Sequence, residues 1–128
     1  MAYYLSRQVS LPFDQAVDRV RAALATQGFG ILTDIDVQAT MKAKLGADFR
    51  RYRILGACNP PLAHRALSAE DKIGVMLPCN VIVQEHAPGA VEVATIDPTE
   101  AMTATGNEAL RPLAETVRDK LAAVLANL

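Results

Sequence analysis

Two short segments carry the residues of this chain whose types are best suited to chemistry, and each segment centres on a cysteine. The first segment is Cys58-Asn59-Pro60 and the second is Pro78-Cys79-Asn80. A thiol beside backbone N–H groups has a lowered pKa, and the thiolate is the form that reacts. If neighbouring strands bring the two segments together, the thiols could bind a soft metal ion, exchange disulfides or carry sulfur.

The candidate ligand-binding residues are therefore Cys58, Asn59, Pro60, Cys79 and Asn80. His64 follows the first segment, and it could complete a metal site with Cys58 and Cys79 or act as a base for a thiol. Each residue also has an ordinary structural interpretation. Free cysteines are often small buried hydrophobic residues, asparagines often satisfy turns, and single histidines often lie on the surface. The sequence identifies no catalytic residue and no cofactor.

Three carboxylates, Asp34, Asp36 and Asp97, stand at predicted strand ends. Paired carboxylates perform acid–base chemistry in many enzymes, but Asp97 before Pro98 is more simply a turn or helix-capping residue. The chain has no Gly-rich phosphate loop, no Gly-x-Ser-x-Gly elbow and no His-Glu-x-x-His helix. Whether the protein is an enzyme is therefore left open.

Short strands must position these residues. Alternating or apolar segments predict strands at residues 3–9, 30–37, 52–57 and 91–96. An apolar run over residues 73–77 also reads as a strand, which Pro78-Cys79-Asn80 interrupts and which resumes at residues 81–83. The segment Ala87-Pro88-Gly89 predicts a hairpin turn before the last strand.

Helices lie between and after these strands. Apolar stripes at helical spacing predict one main helix between Pro12 and Gly28 and another from Leu110 to Leu128. Shorter helices are predicted at residues 38–45 and 61–67. A hairpin together with two main helices indicates an α+β fold, in which an antiparallel sheet has helices packed on one face. We expect a single domain over residues 1–128, and a homodimer that covers the open sheet.

Composition narrows the classes of partner. The chain has 128 residues, of which 51% are hydrophobic and 21% charged, and its net charge is −1. The balanced charge predicts no nucleic-acid partner. No apolar run is long enough for a membrane helix, and the N-terminal residues do not resemble a secretory signal, so we expect no membrane partner and a cytoplasmic location. Thiols are normally reduced there.

Several segments together resemble a bacterial and archaeal family known as domain of unknown function 302. The resemblance is carried by the runs at residues 53–67 and 73–83, which hold the Cys-Asn-Pro and Pro-Cys-Asn motifs, and by shorter matches at residues 28–37, 44–46 and 96–98. It covers nearly the whole chain. It implies an α+β fold of the order strand-helix-four strands-helix and a homodimer, and it implies no particular activity.

Three functional hypotheses follow. The first is a homodimeric binding protein with a small-ligand or soft-metal site near Cys58 and Cys79. The second is a thiol-dependent enzyme or a sulfur or redox carrier that uses Cys58 or Cys79. The third is an interaction module that works through a sheet edge or through the C-terminal helix. The sequence favours the first.

Overall fold

One antiparallel sheet organises the chain, for which a computed structural model describes residues 2–128. Its strands are β1 (Tyr4–Val9), β2 (Gly30–Asp36), β3 (Tyr52–Cys58), β4 (Cys79–Ala87) and β5 (Ala90–Ile96). The helices are α1 (Phe13–Thr26), α2 (Val37–Leu45), α3 (Pro60–Ala69), α4 (Pro98–Thr103) and α5 (Arg111–Ala126). The strands lie in the order β1-β5-β4-β3-β2, and every neighbouring pair is antiparallel. The predicted α+β fold is thus confirmed.

The core lies between the sheet and the two long helices. The apolar stripe of α1 predicted from the sequence is buried, as is the stripe of α5 that includes Val117 and Leu121. Both stripes belong to one apolar cluster with the strand residues Val81, Val83 and Val93. Because side chains alternate along a strand, the intervening residues of β4 and β5 point to the opposite face of the sheet. The two long helices, α1 and α5, therefore pack on one face of the sheet and leave the other face uncovered by them.

The strand predicted at residues 73–77 is wrong. Ile73–Met76 forms a single 3-10 turn in which Ile73 is buried, while Val75 is 89% exposed. A short apolar run does not by itself distinguish a strand from other structure. Strand β4 begins at Cys79, after a cis Leu77–Pro78 peptide bond, and Pro78 has no N–H to donate to a ladder. The chain from α3 to β4 is therefore an irregular connection along one end of the sheet.

Within residues 2–128, no helix combines the length and the apolar character needed to cross a membrane.

Candidate functional site

The two cysteine segments meet at one end of the sheet. Ala57 of β3 pairs with Cys79 of β4, so Cys58 is the next residue after a direct partner of Cys79. Gly56 pairs with Asn80 in the same ladder. Both thiols are free. The antiparallel pairing of β3 with β4 thus brings together segments that lie far apart along the chain.

An apolar pocket of about 310 Å³ opens beside the two cysteines. Its walls come from the start of β2, from the ends of β3 and β4, from α3 and the connection after it, and from α4 and α5. Cys58, Asn59, Pro78 and Cys79 line it. The large apolar side chains of the wall are Phe29, Leu32, Leu62, Leu67, Leu77, Met102, Leu113 and Val117.

Small residues create this space. Ala57, Ala63, Ala66 and Gly74 line the pocket from three different segments. Large side chains at these positions would fill the void, since protein interiors otherwise pack with few gaps larger than a water molecule. The pocket was not found from the sequence, because such a signal appears only once the segments are known to face one another.

Asn59 connects the pocket to the turn between α1 and β2. Its Nδ2 donates a hydrogen bond to the Gln27 carbonyl oxygen at 3.2 Å. Gly28 lies against the same amide, and a Cβ built on Gly28 would be 3.0 Å from Asn59 Nδ2. Asn59 precedes α3 but makes no side-chain capping bond to that helix. Its amide is therefore held by tertiary contacts at the pocket wall.

The two thiols differ in their surroundings. Cys79 is buried, with 8% of its surface exposed, and Cys58 is half-buried. Burial, and to a smaller extent the neighbouring Cys58, raises the pKa of Cys79 from its ordinary value of 9.0 to about 11. This shift is opposite to the lowered pKa that a reactive thiol needs. Cys79 is consequently a neutral thiol near pH 7.

The remaining predicted site residues do not line the pocket. Pro60 is exposed at the start of α3, and Asn80 is exposed on β4. His64 is exposed on α3. Across residues 2–128, no three His, Cys, Asp or Glu residues are grouped so that they could hold a metal ion. Cys58, Asn59 and Cys79 are thus the predicted residues that the structure gathers around one cavity.

Two of the carboxylates singled out in the sequence make charge pairs. Asp34 pairs with Arg21 and, at 2.6 Å, with Arg53, and the hydrogen bond from Arg53 lowers its pKa despite partial burial. Burial alone would raise the pKa of Asp97, but hydrogen bonds from Thr99 and Arg118 outweigh it and the pKa is lowered.

All three carboxylates serve the fold. Asp97 caps α4 by accepting a hydrogen bond from the Thr99 N–H at 3.0 Å. Asp36 caps α2 by accepting from the Ala39 N–H at 2.9 Å. Since Asp34 is held between arginines, each carboxylate already has a structural partner.

The open face of the sheet carries a row of apolar side chains that the sequence analysis did not single out. Ile35 pairs with Ile54, Ile54 with Ile82, and Ile82 with Ala94 across four adjacent strands. Within residues 2–128, Ile35 is 46% exposed and Ile54 and Ile82 are half-buried, so the row is partly accessible to solvent. Its signal in the sequence is the alternation of β4 and β5, in which both sets of positions contain apolar residues.

A hydrogen-bonded series of polar side chains borders this row. Arg50 Nε donates to Gln84 Oε1 at 2.9 Å, and Gln84 Nε2 donates to Glu92 Oε1 at 2.8 Å. His86 Nε2 lies 3.2 Å from the same Glu92 oxygen. Gln84 is buried on this face, so its hydrogen bonds fix the polar border in place.

The sequence matches one protein-family model over nearly its whole length. The family model described as Domain of unknown function DUF302 matches residues 5–128. Among solved structures, the fold resembles the crystal structure of the uncharacterized conserved protein DUF302 from Bacillus stearothermophilus. The TM-score is 0.92 at 28% sequence identity, and the similarity covers 99% of this chain and 98% of that chain. No curated protein matches the chain.

Proposed function

The chain belongs to the DUF302 family, and we propose that it is a binding protein whose pocket beside Cys58 and Cys79 takes up a small apolar molecule. Membership of a family of unknown function does not indicate an activity, so the proposal rests on the pocket itself. The observation that carries it is the composition of the wall. Residues 2–128 contribute apolar side chains, Asn59 and two thiols to it, and no charged residue.

The size of the pocket fits a small organic ligand. Its volume is about 310 Å³, at the lower end of the range typical of ligand pockets. A dry cavity of ~150 Å³ lined by similar side chains is large enough for benzene. A molecule of roughly twice that size would fill this pocket and would remove its apolar wall from water, which is favourable by about 25 cal/mol for each Å² buried.

The soft-metal and thiol alternatives receive less support. A metal bound by Cys58 and Cys79 would have no third ligand from a His, Cys, Asp or Glu side chain among residues 2–128. A thiol-dependent reaction would depend on Cys58, because the raised pKa of Cys79 leaves that thiol protonated near neutral pH. A redox or sulfur-carrier role therefore remains an alternative that rests on the half-buried Cys58.

The homodimer expected from the sequence belongs to this proposal, and the open sheet face is the surface that we assign to it. The row from Ile35 to Ala94 is apolar, and polar residues border it at Gln84 and Glu92. A two-fold axis through the middle of the row would stack it on its own copy. An apolar centre with a polar rim is the usual anatomy of a protein interface.

Binding of naphthalene, an uncharged aromatic probe, tests the pocket. We expect saturable binding of one molecule per chain, followed by the fluorescence of naphthalene during titration. Ala63→Leu adds a side chain to the pocket wall and should weaken binding by ~10-fold or more, because the added atoms occupy the ligand volume. Ala69→Leu adds the same atoms on an exposed part of α3 and should leave the affinity unchanged.

Two outcomes would contradict the proposal. One is the lack of saturable binding to the folded wild-type protein. The other is equal weakening by Ala63→Leu and Ala69→Leu, since the probe would then bind elsewhere or respond to a general loss of structure. Circular dichroism of each variant establishes that it is folded before the titration.

A further inference from the structure

We propose that the molecule bound in this pocket is uncharged and carries a hydroxyl group, which donates a hydrogen bond to Asn59 Oδ1. This inference rests on the proposed function, because it names the class of ligand that the same pocket selects. Three features of the wall support it: the lack of a counter-charge, the chemistry of the first turn of α3, and the orientation of the Asn59 amide.

The wall offers no counter-charge to an ionised ligand. The residues that line it in the described chain include no Asp, Glu, Lys, Arg or His. Cys79 does not supply a negative charge near neutral pH either, because burial raises the pKa of its thiol to about 11. Moving an ion from water into such a wall is costly unless a partner compensates it. The pocket therefore selects against carboxylates, phosphates and ammonium groups.

The first turn of α3 is poorly equipped to bind an anion, although it begins at the pocket. Helix N-termini bind anions through their free N–H groups. Here the helix begins with Pro60 and Pro61, which have no N–H. The Ala63 N–H already donates to the Asn59 carbonyl oxygen at 2.9 Å. The usual cluster of donors is thus reduced to the N–H of Leu62.

The Asn59 amide presents an acceptor rather than a donor. Nδ2 is directed to the Gln27 carbonyl oxygen at 3.2 Å and lies against Gly28. This contact assigns the two ends of the amide. The atom that faces the Gln27 carbonyl oxygen must be Nδ2, because Oδ1 has no proton to donate. Among residues 2–128, no hydrogen bond reaches Asn59 Oδ1. A ligand hydroxyl is an uncharged donor that would satisfy it.

Three linear probes of similar length separate the parts of this inference. 1-Decanol has the hydroxyl group, methyl nonyl ether lacks the donor, and decanoate is an anion near neutral pH. By calorimetric titration we expect 1-decanol to bind ~5- to 10-fold more tightly than the ether, as for one additional hydrogen bond. We expect decanoate to bind ~100-fold or more weakly than 1-decanol.

Asn59→Leu supplies the test of the contact itself, because leucine has a similar size and no acceptor. In this variant the ratio of the two affinities, alcohol over ether, should fall to about one. An NMR measurement on the wild-type protein tests the same contact even if the variant does not fold. The side-chain amide resonances of Asn59 should shift more on addition of 1-decanol than on addition of the ether.

Each possible result supports or contradicts the inference. If decanoate binds as well as 1-decanol, the pocket is not selective for uncharged ligands and the inference is wrong. It is also wrong if the ether matches the alcohol in the wild-type protein, or if Asn59→Leu folds and keeps the preference. If naphthalene binds but none of the linear probes does, the inference fails and the proposed function stands. If naphthalene does not bind either, the proposed function fails as well.

Discussion

Gly56 of β3 packs so closely against Pro78 that a Cβ built on Gly56 would come within 2.7 Å of Pro78 Cγ. Thr33 contacts the same position from β2. Because a proline ring cannot rotate away about a side-chain bond, Pro78 can yield to a Cβ at Gly56 only by a shift of its own backbone. The lack of a side chain at Gly56 thus allows the segment before Cys79 to lie over β3.

The first prediction concerns this contact. We expect Gly56→Ala to lower the free energy of unfolding by about 1–3 kcal/mol, as for other overpacked sites. Urea denaturation followed by circular dichroism measures the change. Gly30→Ala is the matched control, because a Cβ on Gly30 meets nothing within 4 Å. Equal stability of the two variants would mean that Pro78 and Thr33 yield easily and that the close packing has little energetic weight.

The second prediction concerns the reactivity of the thiols. Cys58 is half-buried and Cys79 is buried, so we expect iodoacetamide to modify Cys58 in the folded protein and Cys79 only after unfolding. With a pKa of about 11, roughly one Cys79 thiol in ten thousand is ionised at pH 7. Mass spectrometry of peptides sampled over time gives the two rates.

The same experiment discriminates among the functional hypotheses. Zn²⁺ should leave the rate at Cys58 unchanged, because residues 2–128 offer no group of three His, Cys, Asp or Glu side chains that could hold it. Protection of Cys58 by Zn²⁺ would instead favour a metal site. Very fast alkylation of Cys58 at neutral pH would favour thiol chemistry.

The third prediction concerns stability in alkaline solution. The pKa of Cys79 is raised on folding from 9.0 to about 11. Below pH 9 the thiol is protonated in both states and the stability is fully present. Between pH 9 and 11 the unfolded chain loses the proton while the folded chain keeps it, so stability falls by up to about 2–3 kcal/mol.

Comparison of variants isolates this effect from other groups that titrate in the same range. Cys79→Ala should show a shallower loss of stability from pH 9 to 11 than the wild-type protein, measured by urea denaturation at each pH. Cys58→Ala should keep most of the wild-type slope. The same slope in all three proteins would argue against a raised pKa for Cys79.

Most of the fold could be predicted from the sequence because local patterns determine it. The four strands at residues 3–9, 30–37, 52–57 and 91–96 and the two main helices appear within a residue or two of their predicted bounds. Three elements differ: β4 extends beyond the predicted residues 81–83, α4 was not predicted, and Ile73–Met76 is not a strand. The apolar residues of Ile73–Met76 suggested a strand, whereas the strand begins only after Pro78.

The site could be predicted only in part, for a different physical reason. Two similar cysteine motifs suggested a meeting point, and the pairing of Ala57 with Cys79 provides it. The pocket, however, depends on the absence of large side chains at Ala63 and Gly74, which contribute to one cavity although they lie in separate segments. No local sequence pattern shows that a small residue leaves a cavity rather than making a close contact. The cavity can therefore be recognised only from the three-dimensional arrangement.

The last prediction concerns the homodimer. If two copies stack through the open sheet face, a charge at the centre of the apolar row would be buried without a partner. We therefore expect Ile82→Glu to weaken self-association by ~30-fold or more, as at a central interface position. Val75→Glu is the control, since Val75 is 89% exposed on the 3-10 turn and lies outside the row.

Light scattering after size-exclusion chromatography gives the mass of each protein, and circular dichroism establishes that both variants fold. A wild-type monomer at high concentration would rule out the dimer, and a dimer that survives Ile82→Glu would require a different face, such as the exposed edge formed by β2.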